Sequence, residues 1–221
     1  MYEQQDMRQY VESLHSENNE LFREMQTYAD QENVPIMETE SMDVMLQILA
    51  VHGSKSILEI GTAIGYSALR MADALREAQI VSLEKNRDSY EKALYFRDKS
   101  DLSQYTTFYH TDALDESFAL DTSQQYDVLF IDAAKGRYMD FFEQYSPYIK
   151  PNGLIISDNV FFKGWTATPE EAPKRIRPMI DKIRYYNAWL ADHPLFQTRF
   201  LTVGDGLAVS VKQAEKIEKN Q

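Results

Sequence analysis

The chain has no cysteine, and that one absence removes disulfides, a thiolate nucleophile and any zinc–thiolate site. It suits a reducing cytosol. No apolar run reaches the roughly eighteen residues that cross a bilayer, and no charged-then-apolar leader opens the sequence. A cytoplasmic protein without a membrane partner is the expectation. Positive charge is scarce too: 23 basic residues face 35 acidic ones, a formal charge of −12, which opposes non-specific adhesion to nucleic acid. A nucleic-acid substrate would need a local basic patch. The four histidines, His15, His52, His110 and His193, show no paired spacing and read as structural or surface residues. Ser67 lacks the nucleophile-elbow context and evident His and Asp partners, which argues against serine hydrolysis.

The 221 residues suffice for one domain with one sizeable core, a helical cap over 1–52 followed by an α/β unit over 53–212. That unit is organised around Ile57-Leu58-Glu59-Ile60-Gly61-Thr62-Ala63-Ile64-Gly65-Tyr66-Ser67. An apolar strand-like run stops at two glycines and gives way to a helical pattern through Ala68, Leu69, Met71, Ala72 and Leu75. Such a turn lets a ligand approach the backbone and aims helix N–H groups at it. Glu84 ends the next apolar run at the spacing of an acid that grips ribose hydroxyls. The third glycine of the dinucleotide fingerprint and the Gly-Lys-Ser/Thr of a phosphate loop are both missing, which weakens NAD and ATP as ligands.

Apolar periodicity predicts a long amphipathic helix from Asp6 to about Asp30, a break at Val34-Pro35-Ile36-Met37, and a second helix over Glu40 to Val51. This pair would lie over the start of the sheet as a cap or an oligomer contact. Further strands are expected at Ile80–Leu83, Thr106–His110, Tyr126–Ile131 and Leu154–Ser157, with helices over Arg87–Lys99 and Arg137–Tyr148. Beyond Pro173 a helix runs through Ile176, Ile180, Ile183, Tyr186, Asn187 and Leu190. Thr198–Val203 and Leu207–Val211, joined by Gly204-Asp205-Gly206, form an antiparallel hairpin. The alternation gives a doubly wound, mostly parallel α/β sheet, Rossmann-like, carrying N-terminal helices and that C-terminal hairpin.

Parallel strands deliver their C-terminal ends to one edge, where Asp112-Ala113, Asp132 with Lys135, and Asp158-Asn159 would gather. If the last two strands are neighbours, two carboxylates and an amide oxygen converge, a hard donor set that suits Mg²⁺ rather than zinc. Acids after strands also cap helices and begin turns, and that reading stays open. Lys135 would act as a base or steady an oxyanion; the alternative is a solvated surface lysine. Lys174, Arg175, Arg177, Lys182 and Arg184 form the densest basic stretch, where positions 174, 177, 181 and 184 share a helix face. Either a solvated face or a patch for RNA phosphates would account for it.

With these motifs in view the chain resembles the cation-dependent class I O-methyltransferases of the catechol and caffeoyl-CoA type, which use S-adenosylmethionine. The resemblance covers about Val34 to Val211 and lies in the glycine turn, in Phe130-Ile131-Asp132-Ala133-Ala134-Lys135, in Ile156-Ser157-Asp158-Asn159-Val160, and in Gly204-Asp205-Gly206-Leu207-Ala208. It is nearest to the bacterial branch that methylates 5-hydroxyuridine in the tRNA anticodon. The resemblance implies that Gly61, Ser67 and Glu59 hold the methionine part of the cofactor, with Met37 closing over it, Glu84 on the ribose and Asp112-Ala113 on the adenine. It further implies Asp132, Asp158 and Asn159 as metal ligands and Lys135 as the catalytic lysine, with Asp132 reaching both cofactor and reacting atoms. A homodimer through the N-terminal helices is implied as well. The Asn159-Val160-Phe161 ending and the segment Trp165 to Glu171 depart from the plant enzymes, which counts against a caffeoyl-CoA acceptor.

The expected activity is Mg²⁺-dependent methyl transfer from S-adenosylmethionine to 5-hydroxyuridine in tRNA, giving 5-methoxyuridine, with Lys174, Arg175 and Arg177 on the RNA backbone. A small catechol-like acceptor keeps the same chemistry and agrees better with the net charge. An NAD-dependent oxidoreductase, resting on Glu84, and a non-enzymatic cofactor-binding protein are the rivals from other classes.

Overall fold

A computed structural model describes residues 10–214 except 12, 15–18, 116, 119 and 121–123. In chain order its elements are α1 (Glu20–Glu32), α2 (Thr39–His52), β1 (Ser56–Ile60), α3 (Tyr66–Ala74), β2 (Gln79–Glu84), α4 (Arg87–Lys99), β3 (Thr106–His110), β4 (Tyr126–Ile131), α5 (Tyr138–Tyr145), β5 (Ile149–Ser157), α6 (Arg177–Ala191), β6 (Phe196–Leu201) and β7 (Leu207–Lys212). The strands form one sheet in the order β3-β2-β1-β4-β5-β7-β6. The first five are parallel, and β7 and β6 add antiparallel. The expected doubly wound sheet with a C-terminal hairpin is therefore what the chain adopts. Strand order reverses between β1 and β4, which opens a crevice at their C-terminal ends.

Both faces of the sheet are covered, so the central strands are apolar on both sides. Successive residues of one strand serve opposite cores, as the period of two requires. Ile57, Val128, Phe130 and Ile156 pack with Phe22, Met25, Met42, Met45 and Leu49 of α1 and α2. Leu58, Leu129, Ile131 and Ile155 pack with Phe142, Tyr145, Tyr186 and Leu190 of α5 and α6. The N-terminal helices thus share the main core with the sheet rather than capping it from outside.

Several boundaries differ from the sequence reading. The helix expected over 6–30 is interrupted at Asn19, whose backbone is extended and whose Oδ1 accepts the Leu21 N–H at 3.0 Å, so α1 starts at Glu20. Residues 6–9, 12 and 15–18 of that expectation, His15 included, lie outside the described residues. Strand β5 begins at Ile149, five residues early, because an irregularity opposite Tyr126–Val128 absorbs Pro151-Asn152-Gly153. Pro147 sits in a short 3-10 turn, Ser146–Tyr148, that ends α5 before Tyr148. The last basic helix starts only at Arg177, with Pro178 in its first turn, and β6 is shifted to Phe196–Leu201. No described helix is long and apolar enough to cross a membrane.

Candidate functional site

The crevice at the strand ends holds a cavity of about 560 Å³. Its first wall is the turn after β1. Gly61 has φ +101, and a Cβ there would fall 2.0 Å from the Asp132 carbonyl oxygen. Glycine is demanded by the neighbouring strand's backbone, before any ligand is considered. Glu84 braces the same turn: its Oε2 accepts the Ala63 N–H at 2.8 Å and its Oε1 the Asn86 N–H at 2.7 Å. Met37, Gly61, Glu84, Asp112 and Ala113, all expected at a cofactor, line this cavity.

Glu59 and Ser67 do not line it. Glu59 is fully buried and accepts hydrogen bonds from the hydroxyls of Ser67 and Ser82, with Thr62 Oγ1 a further 2.6 Å from Ser82 Oγ. Burial pushes its carboxyl up to about 7 against the two serine hydrogen bonds, with smaller upward pushes from Asp132 and Glu84. The pair expected on the cofactor forms a polar core behind the turn. Asp112 begins its own turn by accepting the Leu114 N–H at 3.0 Å, and the Ala113 carbonyl accepts from Tyr145 at 2.5 Å.

The second wall comes from β4 and β5, which are neighbours. Their ends bring Asp132, Asp158 and Asn159 into the cavity together with Lys135. Asp158 is 2 % exposed. Burial and the nearby Asp132 hold its carboxyl well above the usual carboxylate range, opposed by the Asn159 N–H and by Lys135. Lys135 opens a short 3-10 turn, Lys135–Arg137, and its Nζ lies 5.5 Å from the centre of the Phe162 ring.

Five hydrogen bonds pin the acidic loop, and sequence reasoning missed all of them. The Tyr138 hydroxyl donates to the Asp158 carbonyl at 2.8 Å, and Asn187 Nδ2 donates to the Val160 carbonyl at 2.8 Å. The turn between β6 and β7 does the rest: Val160 N–H donates to Gly206 O at 3.1 Å, Phe161 N–H to Asp205 O at 2.8 Å, and Lys163 N–H to Asp205 Oδ1 at 3.0 Å. Asp205 lines the cavity. An acid between two glycines was the one available signal, and it reads equally as an ordinary hairpin.

The residues present fit a divalent cation. Two carboxylates and an amide supply oxygen alone, and mutual repulsion at a buried pair is what a dication relieves. Among the described residues no three His, Cys, Asp or Glu side chains form a cluster of their own, so water and substrate oxygens would complete the shell.

The basic stretch does not make the expected helix face. Lys174 and Arg175 precede α6, and Arg177 is occupied, donating to Ala172 O at 2.9 Å and Glu170 O at 2.6 Å. Of the described histidines, His52 bonds Ser54 and the Asn152 carbonyl, His110 stacks on Tyr90, and His193 sits among Phe142, Trp189 and Phe196.

Known proteins are similar to this chain in sequence and share its fold. Caffeoyl-CoA O-methyltransferase 1 of Arabidopsis thaliana is 29% identical over 215 residues, 92% of this chain and 83% of its own length. A Staphylococcus aureus crystal structure, described as a candidate caffeoyl-CoA O-methyltransferase, superposes with a TM-score of 0.86 at 33% identity, covering 92% of this chain and 98% of that one. The Streptomyces achromogenes O-methyltransferase TomG, solved with S-adenosylmethionine, shares the fold at a TM-score of 0.81 and 21% identity, over 97% of this chain and all of its own. The sequence profile of the O-methyltransferase family matches residues 12–213, nearly the whole chain, and the protein belongs to that family.

Proposed function

We propose that the chain transfers the methyl group of S-adenosylmethionine to a hydroxyl of a catechol-like or other phenolic acceptor, with a divalent cation such as Mg²⁺ held by Asp132, Asp158 and Asn159. One observation carries this reading: the all-oxygen donor set and Lys135 share a single cavity with the Gly61 turn and Glu84. The comparisons support it, since the Arabidopsis relative is named for a phenolic acyl-CoA acceptor. The NAD reading rested on Glu84 alone and gains nothing from them.

A phenol attacks carbon poorly until ionised. A divalent cation held by Asp132, Asp158 and Asn159 would supply Lewis acidity, lowering the pKa of an acceptor hydroxyl. Lys135 accepts or balances the departing proton at Nζ, and the Phe162 ring against it walls the acceptor side. Met37, Leu83 and Ala113 enclose the cofactor's end, and Glu84 offers its remaining lone pairs to ribose hydroxyls. S-adenosylmethionine held there would supply the methyl group to the ionised oxygen and leave as S-adenosylhomocysteine.

A second reading keeps the chemistry and makes 5-hydroxyuridine of tRNA the acceptor. Its 5-hydroxyl stands beside the 4-carbonyl as one catechol oxygen stands beside the other. A cleft containing Lys135, Arg137 and Lys182 next to the acceptor side favours it.

Transfer of labelled methyl to catechol and to tRNA bearing 5-hydroxyuridine, with and without EDTA, tests both. EDTA-sensitive label in catechol is expected; label in tRNA alone selects the second reading, and EDTA-insensitive label removes the cation. Asp158→Ala should abolish metal-dependent turnover and weaken Mn²⁺ binding measured by calorimetry; retained Mn²⁺ affinity would overturn the ligand assignment.

A further inference from the structure

Helix α5 is only eight residues long, Tyr138–Tyr145, yet its side chains reach both ends of the cavity. Tyr138, Phe141 and Tyr145 recur at helical spacing and so lie along one stripe. At the start of the stripe the Tyr138 hydroxyl donates to the Asp158 carbonyl, in the middle Phe141 lines the cavity, and at the end the Tyr145 hydroxyl donates to the Ala113 carbonyl at 2.5 Å. Gln144, beside Tyr145, donates to the same carbonyl through Nε2 at 2.9 Å. Together they fill both lone pairs of that oxygen. The turn is tied at its other end too: the Leu114 N–H donates to Asp112 Oδ1 at 3.0 Å and the Asp115 N–H to the Asp112 carbonyl at 2.9 Å. Burial pushes the Tyr145 hydroxyl up to about 12, so it stays a donor.

The fastened turn follows β3, the edge strand of the sheet, where a connecting loop has the fewest neighbours to hold it. What it faces follows from the order of the strand ends. The cavity runs from Asp112 and Ala113 after β3, past Glu84 after β2 and Gly61 after β1, to Asp132 after β4 and Asp158 after β5. A carboxylate at a strand end grips the two ribose hydroxyls, and the transferable methyl has to face the acceptor oxygens at β4 and β5. The purine, joined to the ribose on the side away from the sulfonium, then falls at β3, against the apolar Ala113, Leu114 and Phe141.

We propose that Gln144 and Tyr145 are positioning residues for the purine end of the cofactor. Neither lines the cavity. They act through the Ala113 carbonyl, drawing an edge-strand turn onto α5 and so fixing the wall on which the ring seats. The inference rests on S-adenosylmethionine as the cofactor and is independent of the acceptor.

The double variant Gln144→Met, Tyr145→Phe removes both donors while nearly keeping both shapes. S-adenosylhomocysteine, titrated by calorimetry, should bind it about tenfold more weakly than it binds the wild-type chain, the size of a carbonyl left without its donors. Each single variant should fall between the two, because the remaining donor still holds the oxygen. Mn²⁺ affinity should stay within about twofold of wild type, since the Tyr138 contact at the far end of α5 shares no partner with the deleted groups. In turnover, KM for S-adenosylmethionine should rise about tenfold with kcat nearly unchanged, the pattern of binding lost away from the reacting atoms. Wild-type affinity for S-adenosylhomocysteine in the double variant overturns the inference. A parallel loss of S-adenosylhomocysteine and Mn²⁺ affinity also overturns it, showing that the two side chains merely keep α5 in place. If S-adenosylhomocysteine fails to bind the wild-type chain, the cofactor reading itself falls and takes this inference with it.

Discussion

A carboxyl sealed inside a sheet keeps its proton to higher pH than one in water, and Glu59 is such a group. Its folded-state pKa of about 7 exceeds the ordinary 4.5. The folded protein therefore holds a proton that the unfolded chain releases, and stability falls as pH rises from about 4.5 to about 7. The penalty is absent below that window and complete above it, about 3 kcal/mol for a shift of this size. Glu59→Gln removes the titration and should gain on the wild type by about 2 to 3 kcal/mol between pH 5 and pH 8 in denaturant unfolding. A difference independent of pH would show that Glu59 is ionised in the fold. The same residue shows what sequence reading misses. The motif places Glu59 beside the glycine turn, but whether its side chain faces a ligand or Ser67 and Ser82 depends on β2 alongside. Asp132, Asp158 and Asn159 were legible because strand ends of a parallel sheet share an edge by topology alone.

The acidic loop after β5 owes its shape to a hairpin distant in sequence. Gly206 has φ +91, and a Cβ there would come within 2.3 Å of the Phe161 ring. Gly206→Ala should therefore cost about 1 to 3 kcal/mol, from backbone strain and displacement of a packed ring. The displaced ring would also loosen the Val160 and Phe161 hydrogen bonds, so Mn²⁺ affinity should drop alongside stability, read by calorimetry and denaturant unfolding. Unchanged affinity would show that the loop holds its ligands without the hairpin. Elements with strong periodicity, such as β1, β4 and α4, were predicted to within a residue. The start of β5 was misplaced because Pro151-Asn152-Gly153 reads as a break, yet it is absorbed within a strand. Lys174 and Arg175 looked helical because composition carries no signal for where α6 begins.

At the scale of the molecule, helices over the sheet face are tied in by polar contacts as well as apolar ones. Arg70 donates to Tyr66 OH at 2.9 Å and to Asp43 at 2.9 Å, and Gln26 donates to Tyr66 OH at 2.8 Å. One cluster thus joins α1, α2 and α3. Because Met25, Met42 and Met45 also share a core with Val128 and Phe130, the N-terminal helices and the sheet should unfold together. Arg70→Met should lower stability by about 1 to 3 kcal/mol. It should also move the far-ultraviolet dichroism and the tryptophan fluorescence transitions by equal amounts, since Trp189 reports from the opposite face against Phe142. A dichroism loss preceding the fluorescence change would mean that the helices detach first.

The turn at Gly204-Asp205-Gly206 also has a consequence for synthesis. Ser41 donates to the carbonyl of Val203, 162 residues away, and Asp205 closes the loop that follows β5. A growing chain can form β1, its glycine turn and both acidic strand ends while still on the ribosome, yet the loop carrying Asp158 and Asn159 stays without its clasp until residues 204–206 emerge. The site is therefore finished only after residues 204–206 have joined the fold.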